Sequence, residues 1–453
     1  MARQLFGTDG IRGRAGEFLT ADLARSLARA AVERVTATGS KRPRVLIVRD
    51  TRESGEMLES AIAAGVSTAG GDALIGGVLP TPAAPLLVRA HGFDLAAVIS
   101  ASHNPYEDNG IKIFGADGFK LDDETEHAIE AMLDVPRDDT PAIGSVARFD
   151  GALEDYLAAL HRRFEALNLT GLRVLLDCAN GATYRAAPEV FRRLGAEVTA
   201  LSDQPDGRNI NLGCGSTHLE QTIDRMSGNG HDVAFAFDGD GDRVLAVDRN
   251  GIAVDGDELI ALAALHMRSC GRLTGGGVVV TVMTNYGFHR AMAAAGIEVA
   301  SAAVGDRYVL DELRRRGWAL GGEQSGHIID LGFGPSGDGI ASALLTLEAL
   351  AGDDLSERAA MQKLPQRLVN VRASSRAALA AAMSDAVVQG AIAREDEALS
   401  GRGRVLVRAS GTEPLIRVMA EAPTEDETDG VCARLVRVVE EALSREAALA
   451  SHD

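Results

Sequence analysis

The sequence predicts an α/β protein of several domains, and three observations lead there. Short β-rich runs alternate with helix-like stretches through most of the 453 residues, the pattern of layered and largely parallel sheets. The length exceeds what one core fills, so two to four domains are expected. A hydrophobic fraction of 46% supplies apolar surface for those cores and rules out a disordered chain.

Taken in order, the first block has strands at 45–48, 73–79 and 95–100, with a helix after Thr51 between the first two. A second block begins with strand 172–177, continues through helix 182–194 and reaches strand 232–237. The third runs helix 257–267, strand 277–283, helix 286–295, strand 298–304 and helix 308–316. The tail differs: strand 404–408 turns at 411–414 into strand 415–421, and a helix follows from about 426 to 443. Polar or proline-containing joints near 138–151 and 362–370 mark boundaries, with a weaker joint near 249–256. No fixed-period repeat is visible. Three α/β blocks and an α+β tail nevertheless make a four-part body, divided at 1–150, 151–255, 256–368 and 369–453.

Composition narrows the class of ligand. A formal charge of −19 and only 4% aromatic residues argue against a nucleic-acid partner, since phosphate backbones would be repelled and bases would find few stacking surfaces. A small anion must then be held by local Arg, Lys and backbone N–H groups. Cys178, Cys214, Cys270 and Cys432 are scattered without a CxxC pair, which fits neither zinc nor a disulfide framework. The first seven residues carry no apolar leader and charges interrupt every candidate span, so a cytoplasmic protein with no membrane partner is expected.

Four loops could carry chemistry. In Phe237-Asp238-Gly239-Asp240-Gly241-Asp242-Arg243, three carboxylates alternate with glycines after an apolar strand. Glycine lets the backbone curl, so Asp238, Asp240 and Asp242 can converge on a hard cation such as Mg²⁺ or Ca²⁺. An EF-hand starting at Asp238 would need Gly at 243 and Glu at 249. Both are Arg, so that form fails. Arg243 is placed to steady an anionic ligand.

The second loop, Ser100-Ala101-Ser102-His103-Asn104-Pro105, ends strand 95–100, where α/β sheets bind ligands. No GxSxG elbow occurs in the chain, so Ser102 does not read as a hydrolase serine; alone it is as ordinary as any turn hydroxyl. Lys112 follows inside the apolar run Gly110-Ile111-Lys112-Ile113-Phe114. The third loop, Gly321-Gly322-Glu323-Gln324-Ser325-Gly326-His327, offers groups suited to sugar hydroxyls. The fourth, Arg408-Ala409-Ser410-Gly411-Thr412-Glu413-Pro414 with Arg417 beyond it, combines two arginines, two hydroxyls and a glycine turn into a plausible phosphate cradle. A decoy, Gly332-Phe333-Gly334-Pro335-Ser336-Gly337, matches GxGxxG. Pro335 sits inside its turn and a helix is expected at 355–363 where a second strand is required. No GK dipeptide exists, so a P-loop is excluded.

These loops, in this order and together with Phe6-Gly7-Thr8-Asp9-Gly10-Ile11-Arg12-Gly13, resemble the α-D-phosphohexomutase superfamily nearly end to end. The resemblance implies three α/β domains of shared topology and a smaller C-terminal α+β domain around a central cleft, each giving one loop. It implies that Ser102 is phosphorylated and that Asp238, Asp240 and Asp242 bind Mg²⁺ with an oxygen of Ser102. Glu323, Ser325 and His327 would meet the sugar. Arg408, Ser410, Gly411, Thr412 and Arg417 would hold the phosphate not in transfer. Arg12, His103 and Lys112 match positions for proton transfer and charge stabilisation, with Arg243 and Arg307 as further active-site residues.

Gly322–His327, Val304-Gly305-Asp306-Arg307 and the opening motif resemble the glucosamine-type members, whereas phosphomannomutase/phosphoglucomutases tend to have Met at 324. The expected reaction interconverts glucosamine 6-phosphate and glucosamine 1-phosphate through a 1,6-bisphosphate, with glucose or glucosamine 1,6-bisphosphate as activator. It would feed UDP-N-acetylglucosamine and cell-wall synthesis. A homodimer is compatible with these readings and not specified by them. A phosphatase and a non-catalytic sugar-phosphate sensor are the readings outside the class.

Overall fold

A computed structural model describes residues 5–7, 9–133, 143–228, 230–410 and 413–450, the last five without their side chains. The first sheet contains β1 (Ile11–Arg14), β2 (Arg44–Arg49), β3 (Asp72–Val78), β4 (Leu95–Ile99), β5 (Asp108–Gly115) and β6 (Val146–Arg148), ordered β1-β5-β4-β2-β3-β6. The second contains β7 (Arg173–Asp177), β8 (Glu197–Leu201), β9 (Val233–Phe237), β10 (Val244–Asp248) and β11 (Ala253–Val254), ordered β11-β10-β9-β7-β8. The third is β12 (Gly277–Thr281), β13 (Glu298–Ala302), β14 (Leu320–Gly322) and β15 (Ile328–Asp330), ordered β13-β12-β14-β15. In the fourth, β16 (Gln366–Arg372) and β17 (Arg404–Ala409) flank β18 (Leu415–Glu421), all antiparallel.

One motif recurs in the first three sheets. Three strands run parallel, and a fourth folds back antiparallel on the third: β3-β2-β4-β5, β8-β7-β9-β10 and β13-β12-β14-β15. The expectation of largely parallel sheets is corrected accordingly to mixed sheets. Strands β4, β9 and β12 are buried along their whole length, which is why they read as unbroken apolar runs. The turn into the fourth strand is short and polar, and it bears glycine in the second and third sheets but not in the first. It carries residues 100–107, 238–243 and 323–327 in the three sheets, so three of the four candidate loops occupy equivalent places. The fourth candidate loop is the β17–β18 turn.

All but one of the expected helices form, with stops set by local chemistry. Helix Thr183–Arg193 follows β7, helix Gly256–Ser269 opens on an Asp255/Glu258 capping box, and helix Asp306–Arg316 ends at left-handed Gly317. The helix expected at 355–363 is only one 3-10 turn, Leu355–Glu357. The backbone leaves helical geometry at Arg358 (φ −55°, ψ 132°), whose side chain pairs with Glu258 and Asp248. The dinucleotide reading of 332–337 still fails, because β15 runs antiparallel to β14 and leads into helix Gly339–Leu350.

The chain divides into two compact units. Met1–Met283 with Ile297–Arg358 holds the three α/β sheets, and Thr284–Gly296 with Ala359–Asp453 holds the antiparallel sheet. The second unit has its own apolar core, built on Val371, Ile416, Val418, Leu435 and Val439 under helix Glu425–Ala450. All four cysteines are free. Among the described residues no helix is long and apolar enough to cross a membrane.

Candidate active site

The serine turn and the aspartate turn meet. Ser102 is buried with a left-handed backbone (φ 52°), and its Oγ donates to Asp238 Oδ2 at 2.5 Å. His103 Nδ1 lies 3.3 Å from the same oxygen. Lys112, on β5, aims into this junction because alternate β5 side chains face the same side. Its ammonium lies 2.9 Å from Asp240, 3.1 Å from Asp9 and 3.5 Å from Asp242.

The aspartates fit a divalent cation. One oxygen from each of Asp238, Asp240 and Asp242 lies within 4.8 Å of the others, and all three residues are buried. Asp240 Oδ1 and Asp242 Oδ1 have no hydrogen-bond partner. Buried carboxylate oxygens without donors are costly, and three hard oxygens are the donor set Mg²⁺ uses. Gly239 makes the close approach possible: a Cβ there would lie 2.6 Å from Ser102 O. Gly241 turns the chain at φ 73°.

Charge around the site is divided between partners. Burial, then repulsion from Asp242 and Asp240, pushes the Asp238 carboxyl well above its ordinary value. Burial also opposes ionisation of Asp242, but Lys112 overrides it and holds that carboxyl low. For Lys112, burial favours the neutral amine; Asp240, Asp9 and Asp242 outweigh it and keep the ammonium. His103 moves the other way: burial, with Arg243 and Arg12 nearby, lowers its pKa and leaves a neutral imidazole.

The third turn joins through backbone bonds. Arg243 and His327 form an antiparallel bridge, and Val244 N–H donates to Gly326 O at 3.1 Å. The Gly337 N–H donates to His327 Nε2 at 3.2 Å, leaving Nδ1 to carry its proton 3.6 Å from Asp242. Glu323 Oε1 accepts from Gly305 N–H at 2.9 Å. A cavity of about 470 Å³, lined among others by Arg12, Asp242, Arg243, Glu323, Ser325 and His327, opens beside these groups, within the size range of small-molecule sites.

Ser102, His103, Lys112, Arg12, the three aspartates, Arg243, Glu323, Ser325 and His327 are thus brought together. Arg307 is not among the cavity's lining residues: its guanidinium pairs with Asp123 and Glu126. In the second unit, Arg408 and Arg417 face each other across β17 and β18. Burial and Arg417 lower the Arg408 pKa, as expected where two cations lie side by side. Gly411 and Thr412 lie outside the described residues, and Glu413 N–H donates to Ser410 Oγ.

Sequence reasoning missed the supports. Asp9, in the opening motif, holds Arg12, Lys112 and Lys120, and Lys120 reaches Asp306 at 2.5 Å. Thr81 donates to Asp240 Oδ2 at 2.6 Å. Arg52 and Asn211 hold the serine turn from behind. The motif positions of Asp9 and Asp306 were the available signal; Thr81, Arg52 and Asn211 gave none.

Comparison with known proteins agrees with this geometry. Models of the phosphoglucomutase/phosphomannomutase family match domain I at residues 3–137, domain II at 154–251, domain III at 255–368 and the C-terminal domain at 368–438. A phosphoglucosamine mutase of Moorella thermoacetica is 49% identical over 443 residues, covering 96% of this chain and 99% of that protein. One of Cereibacter sphaeroides is 47% identical over 450 residues, covering 98% of this chain and 100% of that one. A phosphoglucomutase/phosphomannomutase family structure from Burkholderia thailandensis superposes with a TM-score of 0.82 at 26% identity, covering 96% of this chain and 97% of the other. The Aspergillus fumigatus N-acetylphosphoglucosamine mutase, solved with GlcNAc-6P and magnesium, shares the fold at a TM-score of 0.69 and 19% identity, covering 97% and 96%. With its serine, aspartate and 323–327 turns in equivalent hairpins and relatives near half-identical over nearly its whole length, the chain belongs to the phosphoglucosamine mutases of the α-D-phosphohexomutase superfamily.

Proposed function

We propose that the chain interconverts glucosamine 6-phosphate and glucosamine 1-phosphate, using Ser102 as a reusable phosphoryl carrier. The observation that carries this reading is the buried contact of Ser102 Oγ with Asp238 of a three-aspartate cluster, beside neutral His103 and charged Lys112. The segments 1–150, 151–255, 256–368 and 369–453 serve as the four domains. The expected setting is cytoplasmic synthesis of UDP-N-acetylglucosamine and cell wall, with no nucleic acid or membrane partner and a homodimer as the assembly to test.

Mg²⁺ held by Asp238, Asp240, Asp242 and an oxygen on Ser102 would withdraw charge from the phosphoryl group and steady the serine oxygen as it leaves. A phosphorylated Ser102 carries roughly −1.5 to −2 charge, and Lys112 and Arg12 offset part of it. The sugar O1 hydroxyl attacks, its P–O bond forming as the bond to Ser102 breaks, and its proton passes to the His103 imidazole. Glu323, Ser325 and His327 orient the sugar. Arg408, Ser410, Gly411, Thr412 and Arg417 hold the phosphate that is not moving, so the 1,6-bisphosphate can return its other phosphoryl group to Ser102. Arg243 and Arg307 are assigned to anion balance at the site and to support of the 304–307 loop. Glucose or glucosamine 1,6-bisphosphate primes an enzyme that has lost its phosphoryl group.

The test is turnover of glucosamine 6-phosphate with catalytic glucose 1,6-bisphosphate and Mg²⁺, run beside Ser102→Ala with intact-mass analysis of both. Wild type should carry one phosphoryl group, and the alanine variant should lose on the order of 10⁴-fold in kcat or more. Full activity without Ser102 would sink the carrier mechanism. Faster turnover of mannose 1-phosphate or glucose 1-phosphate would move the chain to the phosphomannomutase/phosphoglucomutase reading, and steady release of inorganic phosphate to a phosphatase.

A further inference from the structure

Among the described residues, six that are not glycine hold a left-handed backbone: Ser102, Ala179, Asn180, Ser202, Asn211 and Ala351. All but Ala351 are linked behind the carrier serine. Asn180 N–H donates to Ser202 O at 2.6 Å, Asn211 N–H to Ala179 O at 2.9 Å, and the Asn211 side chain to Ser102 O at 2.9 Å. Residues with a Cβ adopt this conformation uncommonly, asparagine most readily, and such residues gather at functional sites where surrounding bonds hold them.

Bonds at both its N–H and its C=O fix the Ser102 backbone. Its N–H donates to Ser100 Oγ at 2.9 Å, and that hydroxyl donates to Asp50. Its C=O accepts from Arg52 Nη2 and Asn211 Nδ2, both at 2.9 Å. The same two nitrogens donate to Asn104 O, at 2.9 and 3.1 Å. Arg52 is fully buried and directs its remaining donors to Asp50, Pro105 O and Asp108 O, so all five N–H groups of the guanidinium are used. None is left for a ligand.

Asn211 comes from the second sheet's side of the chain, and its loop is tied to the segment after β2. Thr51 Oγ1 donates to Asn180 O at 2.5 Å, and Glu53 N–H donates to Gly207 O at 2.9 Å. The aspartate turn closes the arrangement: a Cβ on Gly239 would lie 2.7 Å from Asn211 Nδ2 as well as against Ser102 O. The Ser102 carbonyl is therefore the point where the serine turn, the metal turn and the Asn211 loop press together.

We infer that Asn211, working with Arg52, is a positioning residue for phosphoryl transfer: its amide locks the Ser102 peptide against the metal turn and so fixes the direction of Oγ for in-line transfer at phosphorus. The inference rests on the carrier role of Ser102. The Asn211 amide donates only to main-chain carbonyls, those of residues 102 and 104, so it acts through the backbone of the serine turn. Its amide suits the task, because it supplies hydrogens to two carbonyls from a backbone conformation that asparagine tolerates.

The test uses the full chain with Mg²⁺ and two variants, Asn211→Asp and Asn211→Gly. The first keeps the shape but sets a carboxylate against two carbonyl oxygens; the second keeps the left-handed backbone and deletes the donors. Single-turnover transfer from phosphorylated Ser102 to glucosamine 6-phosphate, and kcat, should fall on the order of 10- to 100-fold in both. KM for glucosamine 6-phosphate and the activating Mg²⁺ concentration should stay within about twofold, since binding is not what the amide controls. Transfer within about twofold of wild type in either folded variant overturns the inference. So does a loss that follows the fraction of unfolded protein by circular dichroism, because the residue would then be structural only. A wild-type enzyme that turns over without phosphate on Ser102 removes the carrier reading itself, and is read from the same samples by intact mass.

Discussion

Thr81 holds Asp240 at two points: its hydroxyl donates to Oδ2 at 2.6 Å and its N–H to the aspartate's own carbonyl at 2.8 Å. With Lys112 on the same Oδ2, that oxygen is fully engaged, and Oδ1, which has no hydrogen-bond partner, is the one left for a cation. Thr81→Val keeps the shape and removes the hydroxyl. We expect the Mg²⁺ concentration for half-maximal activity to rise about tenfold or more, the range for partners that orient metal ligands, with kcat at saturating Mg²⁺ changing less. An unchanged Mg²⁺ titration would show that the aspartate turn orients itself. Residues differ sharply in how readable they were. The three aspartates declared themselves because alternation with glycine is a local pattern. Thr81 lies 159 residues from Asp240, and Asn211 lies 109 residues from Ser102; only folding creates those neighbourhoods. Ser102 was ordinary by itself, and its meaning came from the company of other motifs.

At the scale of elements, Asp338 joins two helices. It caps helix Gly339–Leu350 by accepting from Ala341 N–H at 2.9 Å, and it accepts at 3.0 Å from Tyr156 on helix Ala152–Arg163. Burial raises its carboxyl to about 6, despite these bonds. An unfolded aspartate releases its proton near 3.9. Between these values the folded chain keeps a proton that the unfolded chain has lost, so stability falls as pH rises from about 4 to 6 and then levels. The size of that loss is about 3 kcal/mol. Asp338→Asn accepts the same bonds without titrating. Its stability relative to wild type should improve with rising pH across that window and hold constant above it, measured by urea unfolding from pH 4.5 to 7.5. Parallel pH curves for the two proteins would contradict the assignment. Elements were read well where burial is uniform, as at β4, β9 and β12. The returning strand β10 was missed because its turn dominated the pattern. Without it, the hairpin that repeats in three sheets was not visible as a repeat: the repetition is one of topology, not of sequence.

At the scale of the whole molecule, a helix can be found without finding its partners. The stretch 286–295 was expected as a helix between two strands of the third sheet, and helix Tyr286–Ala294 does lie between β12 and β13 in the chain. Yet residues 284–296 group with the C-terminal unit. Sequence order gave no hint of this, because the bonds that decide it close over long separations. Asn285 caps the helix by accepting from Gly287 N–H at 3.0 Å, and it bonds both the N–H and the C=O of Leu364 at 3.0 Å, across 79 residues. Tyr286 N–H donates to buried Glu421, which Arg404 also holds. Asn285→Ala should therefore act as a lesion of the C-terminal unit, although position 285 lies outside its main stretch. It deletes a cap and leaves two backbone groups of Leu364 buried without partners, a cost of about 2 to 4 kcal/mol. Native-state hydrogen exchange locates the damage. Amides of β16, β17 and β18 should lose protection in the variant by the corresponding factor, while those of β7 and β9 keep theirs. Equal loss in both sets would mean that residues 284–296 stabilise the α/β sheets instead, and that the two units do not divide the chain as described.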